Sequence, residues 1–281
     1  MASYEIDVED VEYLRHGDKP LMTRIYKPRG SGPFPLIIDV HGGVWCRSDR
    51  FSDAAFDEPL AKSGVVVAAL DFRMPPDAVY PASLIDVSYG VRWFKSRAPQ
   101  WASRADMVGL HGVSSGGHQA MLIAMRPNDV RYSALPLTDG SIQDVRARCV
   151  MLSYPVIDPL SRYEYVKELM CGDDKKMAEM AKEFVTLHDR YWPSEAAMAE
   201  ANPTRALERG ERVELPPVLY QQRINDTAHP RSDLDRFVAG YRKAGGRVDL
   251  NLLPAADDNE AVSREVIDRI IEFVHREIPS K

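Results

Sequence analysis

The sequence predicts a doubly wound α/β fold: a mostly parallel sheet of about eight strands with helices on both faces. Three observations predict it. Short, nearly continuous apolar runs recur along the chain, the pattern of strands buried on both sides. Amphipathic stretches with helical spacing separate them. Strand and helix then alternate over most of the length, which packs as a parallel sheet between helical layers.

Taken in order, Tyr4–Ile6 and Leu21–Tyr26 flank the charged turn Arg15-His16-Gly17-Asp18 and predict a leading hairpin. Pro35–Val40 (PLIIDV) and Gly64–Leu70 (GVVVAAL) predict buried parallel strands, followed by Met107–Leu110, Val150–Tyr154, Pro217–Tyr220 and Val248–Leu253. Between them, Leu84, Val87, Val91 and Phe94 recur at helical spacing, as do Leu234, Phe237, Val238 and Tyr241. Val262, Val266, Ile270, Phe273 and Val274 form the stripe of a last helix. One stretch breaks the rhythm. Between Asp158 and Pro216 only a charged helical pattern appears, with Met177, Met180, Ala181, Phe184, Leu187 and Tyr191 on one face. Insertions of that length are usually functional, so residues 159–214 are expected to form a helical cap over a core of residues 1–158 and 215–281.

Composition excludes several classes. The 281 residues are 44% hydrophobic, enough to fill a sizeable core and too many for intrinsic disorder. Net charge is −6 and there is no basic block, which argues against a nucleic-acid partner. No run of about 18 apolar residues exists to span a membrane. The acidic segment Met1–Asp10 lacks the basic and apolar regions of an export signal. Cys46, Cys149 and Cys171 lie far apart and read as thiols in a reducing cytoplasm, the expected location. No metal-ligand spacing or phosphate-binding glycine loop is visible, so no cofactor is expected. The expected partner is a small-molecule substrate; the edge strand and terminal helix offer surfaces for a homodimer.

Two motifs carry chemistry. Gly112-Val113-Ser114-Ser115-Gly116-Gly117 follows one predicted strand and precedes a helix through Ala120, Leu122 and Met125. A G-x-S-x-G in that context is a nucleophile elbow, whose glycines permit a tight turn that exposes the serine hydroxyl. The bland alternative is a glycine-rich turn with a helix-capping serine. The second motif, His41-Gly42-Gly43-Val44-Trp45, ends an earlier strand. Its backbone N–H groups, with that of Ser115, can converge as an oxyanion hole.

On these residues the chain resembles the α/β-hydrolase fold, and within it the hormone-sensitive-lipase-like and arylformamidase-like carboxylesterases. His41-Gly42-Gly43-Val44-Trp45 looks like their HGGxW segment, and Asp71-Phe72-Arg73-Met74-Pro75-Pro76 and Tyr80-Pro81-Ala82 look like their DYRLAPE and YPA segments. The resemblance implies a serine hydrolase with Ser114 as nucleophile, Gly42, Gly43 and Ser115 as oxyanion donors, Asp226 as triad acid, and Trp45 and His41 near the substrate. It also implies a histidine after the last strand. There the sequence reads Leu253-Pro254-Ala255-Ala256-Asp257-Asp258-Asn259-Glu260, which places Asp258 at the histidine position.

That substitution sets the expectation of an atypical or missing general base. An imidazole suits the role because its pKa lies near the working pH, whereas a carboxylate has a reference value of about 3.9. Loss of the histidine from a serine-protease triad costs roughly 10⁶ in kcat. Among the other histidines, His229, three residues after Asp226, is the best substitute; its plain alternative is a surface-loop residue. His111 is expected to pack beneath the elbow, His118 to lie in its helix, and His188 to sit on a solvated edge of the cap. Three readings follow: a hydrolase of a small ester, lactone or amide through Ser114; a non-hydrolytic lyase, decarboxylase or cyclase using Asp257 or Asp258 as acid/base; or an inactive ligand-binding relative. All place the site at the carboxyl ends of the strands, beneath the 159–214 insertion.

Overall fold

A computed structural model of the protein describes residues 3–255 and 263–280. An antiparallel hairpin, β1 (Ile6–His16) and β2 (Lys19–Pro28), leads into the strands β3 (Leu36–Val40), β4 (Val66–Leu70), β5 (Val108–Val113), β6 (Val150–Ser153), β7 (Val218–Arg223) and β8 (Val248–Leu253). They form one sheet in the order β1-β2-β4-β3-β5-β6-β7-β8. β2 pairs antiparallel with β4, and from β4 to β8 every pairing is parallel. The hairpin strands are longer than their apolar runs suggest. β1 is an edge strand carrying Asp7, Glu9, Asp10 and Glu12, charges that keep a sheet edge from pairing with another chain.

The central strands are mostly apolar because both faces are covered, with Asp39, His111 and Ser153 as buried polar exceptions. Leu36, Ile38 and Val40 point to one side, with Leu84, Val87, Ile123 and Phe237 in the same cluster. Ile37, Val67, Met151 and Leu219 point to the other, among Phe56, Leu60, Val266, Ile270 and Val274. The period-2 alternation of a strand makes both sets necessary. The covering helices are α1 (Ala54–Lys62), α2 (Ala82–Arg97), α3 (Ser115–Met125), α8 (Arg231–Lys243) and α9 (Arg264–Glu277).

Four helices lie between β6 and β7: α4 (Pro159–Met170), α5 (Lys175–Tyr191), α6 (Glu195–Glu200) and α7 (Pro203–Glu208). Each starts where a side-chain oxygen accepts a backbone N–H of the first turn, from Asp158, Asp174, Ser194 and Asn202 respectively. Pro159 and Pro203 occupy first-turn positions, where a missing N–H costs nothing. The strand order reverses between β3 and β5, since β4 lies to one side of β3 and β5 to the other. Ligand crevices of open α/β sheets form at the carboxyl ends of strands at such a point. The segments after β3 and β5 are His41-Gly42-Gly43 and Ser114.

Candidate active site

Ser114 stands between β5 and α3 with φ 51° and ψ −118°, a backbone conformation that few non-glycine residues adopt. The turn is held by Ser114 N–H on Ser153 O (3.0 Å) and by Val156 N–H on Ser114 O (2.9 Å). Its glycines are sterically required. A Cβ at Gly116 would lie 1.8 Å from Val40 O, and one at Gly112 would lie 2.6 Å from the backbone of Gly116. The strain is therefore imposed by the strands and helix that clasp the turn, and it leaves the Ser114 side chain partly exposed.

The Ser114 hydroxyl has an imidazole beside it. Oγ lies 3.1 Å from His229 Nε2, and His229 Nδ1 lies 2.9 Å from Asp226 Oδ2 and 3.1 Å from Oδ1. Asp226 and His229 share the turn that leaves β7, and Asp226 Oδ1 also accepts the N–H groups of Ala228 and His229, both at 2.9 Å. That local capping folds the turn back so that its histidine ring faces its own aspartate. Burial pushes Asp226 upward, but the His229 charge and these hydrogen bonds outweigh it and hold the carboxyl below its ordinary value. When the ring is neutral and donates Nδ1–H to this carboxylate, Nε2 is left bare towards Ser114. The imidazole beside Ser114 is that of His229; Asp257 and Asp258 lie outside the described residues.

A second Ser–His–Asp string runs beneath the first. His111 Nδ1 is 2.6 Å from Asp39 and Nε2 is 3.1 Å from Ser153 Oγ. All three residues are at most 1% exposed, so no substrate reaches them. This string ties β3, β5 and β6 together under the turn, as expected for His111.

Gly42 abuts the serine: a Cβ there would be 3.2 Å from Ser114 Cβ. Gly43, at φ +97°, forms a tight turn whose carbonyl accepts Cys46 and Arg47 N–H. Among the described residues no acceptor takes the N–H of Gly42, Gly43 or Ser115. Among the described residues, the Gly42 and Ser115 donors therefore stand unengaged near one partly exposed hydroxyl, with Gly43 next in the chain.

Trp45 and His41, expected near the substrate, are both buried. Trp45 is 0% exposed and sits among His118, His188, Tyr191 and Trp192, stacked on Tyr191 at 5.4 Å. Its backbone N–H donates to Ser115 Oγ (3.1 Å) and its indole N–H to His118 Nδ1 (3.2 Å). His41, 1% exposed, stacks on Phe72 at 4.2 Å. Both residues build the wall behind the glycines. His188, expected at a solvated edge, is buried against Trp45. Burial, assisted by the neighbouring Arg162 charge, lowers the His188 pKa to about 3; burial lowers that of His118 to about 4 and that of His41 below its ordinary value. These rings are neutral packing elements. The aromatic cage escaped sequence reasoning because its members come from three separate segments, around Trp45, His118 and His188–Trp192. His229 did carry a signal: an Asp-x-x-His turn directly after a parallel strand.

The fold, a mostly parallel eight-stranded sheet with its polar cluster at the strand ends, is that of an α/β-hydrolase. Solved structures agree. The thermophilic carboxylesterase EstE1, cloned from a metagenomic library, superimposes with a TM-score of 0.76 at 18% identity, over 98% of this chain and 90% of that one. The BD-FAE family model matches residues 24–226, and the chain belongs to that family, within the α/β-hydrolase carboxylesterases. Esterase LipC of Mycobacterium tuberculosis is 26% identical over 229 residues, 78% of this chain and 52% of LipC. Kynurenine formamidase of Drosophila melanogaster is 26% identical over 119 residues, 42% of this chain and 39% of that enzyme. The chain therefore spans about half the length, or less, of these curated relatives.

Proposed function

We propose that the protein is a serine esterase of small carboxylic esters, with lactones and amides within the same chemical reach. The observation that carries this reading is the unbroken line Ser114 Oγ, His229 Nε2, His229 Nδ1, Asp226. In the proposed cycle His229 Nε2 removes the Ser114 proton as Oγ attacks the ester carbonyl. The carbonyl oxygen becomes an oxyanion held by the N–H groups of Gly42, Gly43 and Ser115. The imidazolium, steadied by Asp226, then protonates the departing alcohol, and water hydrolyses the acyl-serine by the same route in reverse. The relatives' names, an esterase and a formamidase, support acyl transfer as the reaction class. Asp257 and Asp258 are not needed as a base in this scheme, so the lyase, decarboxylase and cyclase reading has no observation in its favour.

The test compares turnover of a short-chain activated ester by the wild type and Ser114→Ala, with phosphonate labelling of the intact protein. Loss of turnover together with loss of a single covalent adduct supports the reading. Equal rates in the two proteins overturn it.

A further inference from the structure

His229 reaches Ser114 from the same short turn that carries its aspartate, so the ring's aim depends on the conformation of residues 226–229 alone. Every backbone carbonyl from Thr227 to His229 is held by a side chain. Tyr165 Oη–H donates to Thr227 O (3.1 Å), Arg162 Nε–H to Ala228 O (2.9 Å), and Gln222 Nε2–H to His229 O (2.8 Å). Gln222 belongs to β7, the strand the turn leaves. Arg162 and Tyr165 belong to α4, the first helix of the insertion.

Arg162 is an unusual residue to find there. It is 1% exposed, and no carboxylate lies in ion-pair range of it among the described residues. Its guanidinium lies over the Phe184 ring (4.5 Å), and Nη1 is 3.4 Å from His188 Nε2. His188 Nδ1 is engaged with Phe184 O (2.8 Å), which leaves Nε2 as an acceptor for the arginine. Burying a cation with no carboxylate in direct contact is expensive, and the more distant Asp226 and Asp233 charges offset the burial only in part. A packing role would be served more cheaply by leucine or methionine. What the guanidinium supplies that they cannot is a rigid, directed donor to the Ala228 carbonyl.

We propose that Arg162 and Tyr165 are positioning residues for the Asp226–His229 turn, so that helix α4 of the insertion is part of the catalytic apparatus and not only a cover. The inference rests on the serine-esterase reading. The insertion and the base are mechanically one unit: when α4 is seated, two carbonyls of the turn are fixed and the imidazole faces Ser114. When α4 shifts, those donors leave and the ring loses its aim.

The test measures kcat, KM and the pH dependence of kcat/KM for Arg162→Met, Arg162→Lys and Tyr165→Phe with a short-chain activated ester, beside Ser114→Ala. Small misplacement of reacting groups costs up to ~10²-fold. Arg162→Met is expected to lower kcat at least ~10-fold with KM within ~3-fold of wild type, and to move the acid limb of the pH profile. Arg162→Lys should recover part of the loss, because a cationic donor remains. Tyr165→Phe deletes one hydroxyl from a half-buried ring and should lower kcat ~2–5-fold with an unchanged Tm. If Arg162→Met does not fold, Tyr165→Phe decides. Unchanged kcat and pH profile in the folded variants, with Ser114→Ala inactive, overturn the positioning role alone. A fully active Ser114→Ala overturns the esterase reading beneath it.

Discussion

Replacing Asp226 by asparagine tests the proposed relay with almost no change of shape. The carboxylate does two jobs: Oδ1 accepts the N–H groups of Ala228 and His229, and Oδ2 faces His229 Nδ1 at 2.9 Å. An amide has one oxygen and one NH2 to distribute between those places. Two backbone donors outvote one ring nitrogen, so the oxygen stays on the backbone side and the NH2 turns to Nδ1. A donor there forces Nδ1 to be bare and moves the ring proton to Nε2. The serine, 3.1 Å away, then meets an N–H and has no acceptor for its proton. The same tautomer error in a serine-protease triad costs ~10⁴ in kcat, equivalent to about 5.5 kcal/mol of transition-state stabilisation. The backbone hydrogen bonds survive, so thermal stability should stay within about 1 kcal/mol of wild type. Steady-state hydrolysis of a short-chain activated ester at pH 7, with circular dichroism to check folding, measures both. A folded Asp226→Asn whose kcat lies within ~10-fold of wild type would refute the relay.

Other outcomes follow from the same geometry. Gly116→Ala places a Cβ 1.8 Å from a backbone carbonyl that cannot move without breaking β3; the variant should not accumulate as folded protein, and a wild-type Tm would contradict the packing of the turn. Trp45→Ala empties the fully buried centre of the aromatic cage and should cost ~3–5 kcal/mol in urea unfolding. Burial raises the Asp233 pKa to about 7, above the unfolded value of about 3.9. Its contribution is therefore complete at acid pH and lost as pH rises through about 7. The Tm of Asp233→Asn relative to wild type should climb between pH 4 and 7, then level off; a pH-independent difference would count against a buried, titrating carboxyl.

The fold was legible in the sequence because its strongest constraints are local. GVVVAAL is apolar at every position and PLIIDV at every position but Asp39, a pattern that fits a two-sided sheet. Gly112, Gly116 and Ser114 report a turn too tight for side chains. Gly42 and Gly43 are equally readable: Gly42 leaves room beside Ser114, and Gly43 turns so tightly that a Cβ would run into the Arg47 carbonyl. The general base was harder. Asp258 sits where the family resemblance calls for histidine, while the ring that meets Ser114 lies three residues after Asp226, and only the capping of the turn by its own aspartate brings that ring round. The roles of Trp45, His188 and Arg162 were not legible at all. They arise from contacts between segments far apart in the chain, Trp45 with His188, Tyr191 and Trp192 and Arg162 with His188, and no local pattern encodes them.

In an arrangement with acid and base on different strand ends, two independent joints must agree before the serine has a working neighbour. Here both ride on one hinge point past β7, and a single spacing across β6 sets their reach to Ser114. Aspartate and histidine cannot drift apart, and whatever tilts the end of β7 disconnects or engages the pair together. In the proposed relay, the chemistry is thereby reduced to one adjustable gap, between a serine and a prefabricated four-residue cassette.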